Sequence, residues 1–164
     1  MNKKKLIYIE TTVPSFYFNT RRDDANLARQ RWTQRWWNEY VDKQNVVTSY
    51  AVIQELEDAG YPAETRAQCL AMLQTVPLLA ETPEIQPIVQ YYIAHKVMPK
   101  DPSGDALHLA VASFYGCEFL VTWNCFHLAN PLKAGHIHHI NDRLGLSTPI
   151  MTTPMNLLGE LYER

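Results

Sequence analysis

Short unbroken apolar runs alternate along this chain with longer stretches whose apolar residues recur at helical spacing. Leu6-Ile7-Tyr8-Ile9 is apolar, β-branched and aromatic, the pattern of a buried strand. Asp23 or Asp24 then opens a helical stretch to about Lys43, in which Ala28, Trp32, Trp36 and Tyr40 share a face. Val46-Val47-Thr48 reads as a second strand. Ser49 can cap the helix that follows it, whose apolar side is Val52, Ile53 and Leu56. Pro62 and Ala63 start a helix through Val76, Pro77 to Ala80 is a short strand, and Pro83 starts a helix to about Val97. Asp101 caps and Pro102 begins a further helix carrying Leu107, Val111 and Phe114, with Gly116 as its stop. Phe119 to Thr122 is a buried strand that ends in Trp123-Asn124. Cys125 to Gly135 reads as loop, about Ile137 to Leu144 as helix, Pro149 to Thr152 as a last strand, and Pro154 to Leu161 as a terminal helix.

Helices feeding apolar strands in this order predict a three-layer α/β fold with a mainly parallel central sheet. With 164 residues the expectation is a single domain spanning 1–164, and an apolar fraction of 46% excludes a disordered chain. The formal net charge of −2 does not announce a nucleic-acid partner, although a local basic surface remains open. Three cysteines without C-x-x-C spacing favour reduced thiols and a cytoplasmic location. The apolar run after the basic Met1 to Lys5 is broken by Glu10, too short for a signal peptide or membrane span.

In a parallel sheet, functional groups collect beyond the carboxyl ends of the strands. Glu10, Glu55, Asp105 and Asn124 each lie at a strand end or in a helix that follows a strand, so all four can converge on one edge. Three neighbouring carboxylates repel one another, and a divalent cation removes the conflict; oxygen ligands favour Mg²⁺ or Mn²⁺ over Zn²⁺. Glu10 as a solvated strand end and Glu55 as the edge of an amphipathic helix are the plainer alternatives. Arg21, Arg22, Arg29, Arg31 and Arg35 form either a phosphate-contacting patch or a solvated basic face, and the tryptophans among them read first as core. His108 reads as a hydrogen-bonded core histidine. His127 either reaches the Asn124 site or belongs to a loop. His136-x-His138-His139 reads as a polar loop and helix start rather than a metal site. Nothing marks Cys125 as an activated nucleophile beside His127, and no P-loop, G-x-G-x-x-G or G-x-S-x-G is present.

Four segments in order resemble the motifs of PIN domains. Ile7-Tyr8-Ile9-Glu10-Thr11-Thr12-Val13 is similar to the opening strand and its "D-T-S"-type motif, and Ser49-x-x-Val52-x-x-Glu55-Leu56 to the second acidic motif. Asp105-Ala106-Leu107-His108-Leu109-Ala110 resembles the third, and Leu120-Val121-Thr122-Trp123-Asn124 the fourth. Together they span most of the chain, and the likeness is to VapC-type toxins of bacterial toxin–antitoxin pairs. The resemblance implies a PIN-like α/β/α fold and a metal-dependent endoribonuclease with Glu10, Glu55 and Asp105 as ligands of Mg²⁺ or Mn²⁺. It also implies that Thr12 orients a carboxylate or water and that Asn124 holds a metal-bound water or the substrate. The implied partners are an RNA substrate, a small antitoxin protein and a second copy in a homodimer. Two departures stand out: Glu10 replaces the usual Asp, and Asn124 brings an uncharged amide where an Asp is frequent. They leave a non-cleaving module that binds RNA or protein as the alternative, and a small-molecule hydrolase on the same metal site as a third.

Overall fold

The computed structural model describes residues 3–98 and 104–162, with side chains to residue 159 at the carboxyl-terminal end. Its elements are β1 (Leu6–Ile9), α1 (Thr12–Tyr17), α2 (Asp24–Tyr40), β2 (Asn45–Ser49), α3 (Tyr50–Asp58), α4 (Ala63–Leu73) and β3 (Leu78–Leu79). They continue as α5 (Ile85–Ala94), α6 (Asp105–Phe114), β4 (Phe119–Val121), α7 (Pro131–Leu144), β5 (Ile150–Thr152) and α8 (Pro154–Tyr162). The five strands form one parallel sheet in the order β3-β2-β1-β4-β5. β1 lies at the centre, with Tyr8 opposite Val47 on one side and Leu120 on the other.

Strand alternation sorts the core into two halves. Tyr8, Val47 and Leu120 point to the face covered by α5, α6 and α7, where Val89, Tyr92, Ala110, Ile137 and Ile140 are buried. Ile7, Ile9, Val46 and Val121 point to the other face, against α2, α4 and α8, through Trp36, Trp37, Cys69, Leu73 and Leu157. The result is the three-layer α/β/α architecture. α6 is buried along most of its length, from Ala106 to Ser113.

Four local expectations are corrected. α1 was absent from the sequence pattern because Pro14 looks like a break. It stands in the first turn, where a missing N–H removes no helical hydrogen bond. Ser49 does not cap α3: its hydroxyl lies 2.8 Å from the Tyr8 hydroxyl, and the Glu81 carboxylate accepts the Ala51 N–H at 3.0 Å instead. α7 starts at Pro131, not near Ile137, because Asn130 accepts the Leu132 N–H at 3.0 Å and Pro131 is preorganised for a first helical position. α5 ends at Ala94, short of Val97, as Lys96 takes a left-handed φ of 56° and Val97 N–H returns to the Tyr92 carbonyl. The Asp101 cap and the Pro102 start lie outside the described residues.

Candidate active site

β1 carries Glu10 to the carboxyl edge of the sheet, and its backbone N–H still reaches Val121 O at 3.3 Å. The chain then turns into α1, which brings Thr12 back over the carboxylate. The Thr12 N–H donates to Glu10 Oε1 at 2.8 Å, and the Thr12 hydroxyl donates to the same oxygen. Glu10 is 3% exposed. Burial pushes its carboxyl up to about 7, against the opposing His108 charge and hydrogen bonds from Thr12 and Thr122. The extra methylene of a glutamate is therefore folded back onto the turn.

Glu55 projects from α3 and uses both oxygens. Oε1 lies 2.7 Å from His108 Nε2, and Oε2 accepts the Thr11 hydroxyl. His108, on α6, is 1% exposed, and its Nδ1 lies 2.8 Å from the Tyr8 hydroxyl. A continuous path of hydrogen bonds thus runs Ser49, Tyr8, His108, Glu55, Thr11. Burial works to lower the imidazole's pKa. The Glu55 hydrogen bond and the charges of Glu55, Glu10 and Asp105 outweigh it, so the net direction is upward.

Asp105 opens α6. Burial raises its carboxyl, the charges of His108 and His127 lower it, and Glu55 raises it again. Asn124 Nδ2 donates to Asp105 Oδ2 at 2.9 Å, while Asn124 Oδ1 accepts the N–H groups of Phe126 and His127 at 3.2 and 3.0 Å. Those two backbone donors fix which end of the amide carries oxygen. Lys133 of α7 also feels the Asp105 charge.

The five residues singled out in the sequence fall into linked groups: Thr12 on Glu10, Asn124 on Asp105, and Glu10, Glu55 and Asp105 all acting on one imidazole. Among the described residues, however, no three His, Cys, Asp or Glu side chains are arranged to hold a metal ion. The reason is visible in the hydrogen bonds: Glu55 is turned to His108 and Thr11, and Glu10 to Thr12. Sequence reading placed His108 in the core but missed that it is the hub. Its signal was the i, i+3 spacing from Asp105, which puts both on one helix face. Tyr8 and Thr11 gave no signal beyond their strand and turn.

Other candidates settle elsewhere. His136 Nε2 lies 3.0 Å from the His95 carbonyl oxygen and His138 is 3.6 Å from Asp142. Burial pushes the thiols of Cys69 and Cys117 up to about 11 and about 12, so both stay protonated. Trp36 and Trp37 are core, as expected, and Arg35 pairs with Glu39 at 3.1 Å. Arg29 instead lies over the rings of Phe16 and Trp123, at 5.6 and 5.9 Å.

Oxygen donors that burial holds above the usual carboxylate range are short of positive charge. That condition fits a hard cation carried by one or two carboxylates plus water, as Mg²⁺ commonly is, better than a cage of three carboxylates.

No protein-family model and no curated protein sequence matches the chain. Its fold is similar to that of a chain in the crystal structure of VapBC2 from Rickettsia felis bound to a DNA fragment from their promoter. The TM-score is 0.55 at 10% sequence identity, covering 90% of this chain and 98% of that one. At that identity the likeness establishes the fold. Among the described residues no helix is long and apolar enough to cross a membrane.

Proposed function

We propose that this protein is a PIN-type endoribonuclease that hydrolyses RNA phosphodiesters with Mg²⁺ or Mn²⁺, the toxin of a VapC-type toxin–antitoxin pair. One observation carries the reading: acids from three separate elements, Glu10, Glu55 and Asp105, act on the single buried imidazole of His108 at the carboxyl edge of a parallel sheet. The fold likeness to a chain of a VapBC complex supports it and makes a small antitoxin the expected protein partner. A homodimer and a cytoplasmic location belong to the same proposal.

Asp105 and Glu10 would hold the cation together with water, and Glu55 would join them only by leaving His108. When bound, a divalent cation supplies an activated water and stabilises charge on the scissile phosphate. The chain's own residues do the positioning. Thr12 fixes the rotamer of Glu10, and Asn124 that of Asp105. His108 holds Glu55, and it balances negative charge in a site that would otherwise collect three carboxylates. Lys133 adds positive charge on the Asp105 side, where a polyanionic substrate needs it.

The test is cleavage of single-stranded RNA with Mg²⁺ or Mn²⁺ by the wild type and by Asp105→Asn. Loss of cleavage in the variant, and in the wild type with chelator, is expected; equal cleavage by both rejects the site. A second reading, a module that binds without cleaving, is favoured by the Glu55–His108 contact, which keeps Glu55 turned away from a shared cation. Saturable RNA binding without cleavage under either metal would decide for it.

A further inference from the structure

The arginines at and before the start of α2 lie close to the surface beside Thr12. A groove of about 540 Å³ lies there, bounded by Thr12, Phe16, Arg21, Asn26, Tyr61 and Thr65. A smaller one of about 330 Å³, bounded by Thr11, Glu55 and Asp58, shares Ala59 and Tyr61 with it. The two adjoin at Ala59 and Tyr61, and together they form a trough with Glu55 at one end and Arg21 at the other. Its walls are mechanically tied to the carboxylates. The Trp123 N–H donates to Thr12 Oγ1 at 2.8 Å, and Thr12 grips Glu10. The Trp123 indole N–H is anchored on Thr33 at 2.7 Å, and the Phe16 ring sits 6.1 Å from the Trp123 ring. Arg29 lies over both rings. Tyr61 lines both grooves.

What the trough offers a ligand is limited. The Asn19 amide donates to the carbonyls of Arg21 and Asn26, and its oxygen accepts the Arg21 N–H. The Asn26 amide donates to Asp23. These groups stiffen the rim and have few hydrogen bonds left to read a ligand with. The Phe16 and Tyr61 rings and the Arg21 guanidinium line the trough, with Arg29 beside it over the Phe16 ring. Flat π-surfaces beside cations suit a nucleobase and its phosphate, and they hold any base, because every base has a face to stack.

We infer that this trough seats one or two nucleotides of single-stranded RNA flanking the cleaved bond. Bases lie against Phe16 and Tyr61, the backbone passes Arg21 and Arg29, and base identity matters little. The inference rests on the proposed action on RNA.

The experiment uses the full chain carrying Asp105→Asn, and fluorescein-labelled ten-nucleotide oligo(U), oligo(A) and oligo(C), with binding read by anisotropy. On that background Phe16→Ala is expected to weaken binding about tenfold, the effect of losing one stacked base, with Phe16→Tyr restoring it. Arg21→Gln and Arg29→Gln, both at exposed positions, are each expected to weaken binding severalfold. Each should also reduce the salt dependence by about one phosphate contact. The three oligonucleotides should bind within about threefold of one another, since stacking tolerates sequence. Unchanged binding in all three loss variants overturns the inference and leaves the trough to a polypeptide. A strong preference for one oligonucleotide overturns its base-tolerant form. Cleavage by the same variants without Asp105→Asn separates the two claims. RNA held through the trough but never cleaved removes the ribonuclease and keeps the trough. Cleavage with KM unchanged in Phe16→Ala and both arginine variants keeps the ribonuclease and removes the trough.

Discussion

His108 Nε2 and Glu55 Oε1 stand 2.7 Å apart, joining the buried side of α6 to the carboxyl edge of the sheet. The histidine is almost wholly buried, whereas the Glu55 side chain keeps 31% of its surface. The imidazole therefore depends on the carboxylate more than the carboxylate depends on it. Replacing His108 with alanine is expected to cost about 3 kcal/mol, combining a cavity with the loss of partners for Tyr8 and Glu55. Tyr8→Phe keeps the shape and removes two hydrogen bonds, so about 1–2 kcal/mol is expected. Urea unfolding midpoints check both, and equal midpoints for wild type and His108→Ala would remove the hub from the argument.

Glu10 makes stability fall as pH rises. Its carboxyl moves from 4.5 when unfolded to about 7 in the native chain, so between those values the native state binds more protons. Stability is highest below the window and declines through it by up to about 3 kcal/mol in the metal-free protein. His108, whose pKa is also raised, adds stability that is present at low pH and lost as pH rises through its native value, in the same direction. Glu10→Gln keeps an oxygen for Thr12 and should flatten the Glu10 share. Thermal melts in chelator at pH 5.5 and 8 compare the two chains; parallel curves refute the assignment.

Asn124 removes a charge at a place where the structure shows what that charge would do. Asn124→Asp sets a second carboxylate about where the amide nitrogen now stands, 2.9 Å from Asp105 Oδ2. Without cation the variant is expected to be less stable by about 1–3 kcal/mol at pH 8, from like-charge repulsion and lost donation. Added Mg²⁺ or Mn²⁺ should raise its melting temperature more than it raises the wild type's. A melting temperature as high as the wild type's in chelator would show that the two groups do not face each other in solution.

Asn124→Ala tests positioning alone. Asp105 loses the donor that orients it, and metal affinity or cleavage should fall roughly 10- to 100-fold, the usual cost of losing a group that holds a ligand in place. Isothermal titration with Mn²⁺ reads the affinity, and the cleavage assay reads the activity.

The architecture was legible because its signals were local. Five apolar runs and the helical stretches between them pointed to the parallel sheet, and Gly145, at φ 70°, does end α7 as its sequence suggests. What sequence could not show was orientation. Glu10, Glu55 and Asp105 were identifiable as strand-end or helix-start acids. Which way each carboxylate turns depends on Thr12, Thr11 and Asn124, partners set by tertiary placement. The missed α1 follows from the same limit: proline marks a helix boundary from either side, and only the surrounding carbonyls decide which. Ser49 failed as a cap because a tyrosine from the neighbouring strand claimed its hydroxyl first.

β1 precedes the other four strands in sequence yet lies in the middle of the sheet, between β2 and a β4 that starts only at Phe119. Parallel neighbours so distant in sequence make its pairing slow and late. Asp105 and Asn124 also emerge with that second half. A nascent chain therefore carries Glu10 for more than a hundred residues before its β4 neighbour is made, about 110 from Glu10 to Phe119. Glu10 meets Asp105 and Asn124 only after β4 has been made and paired beside β1, an order written into strand placement rather than into any inhibitor.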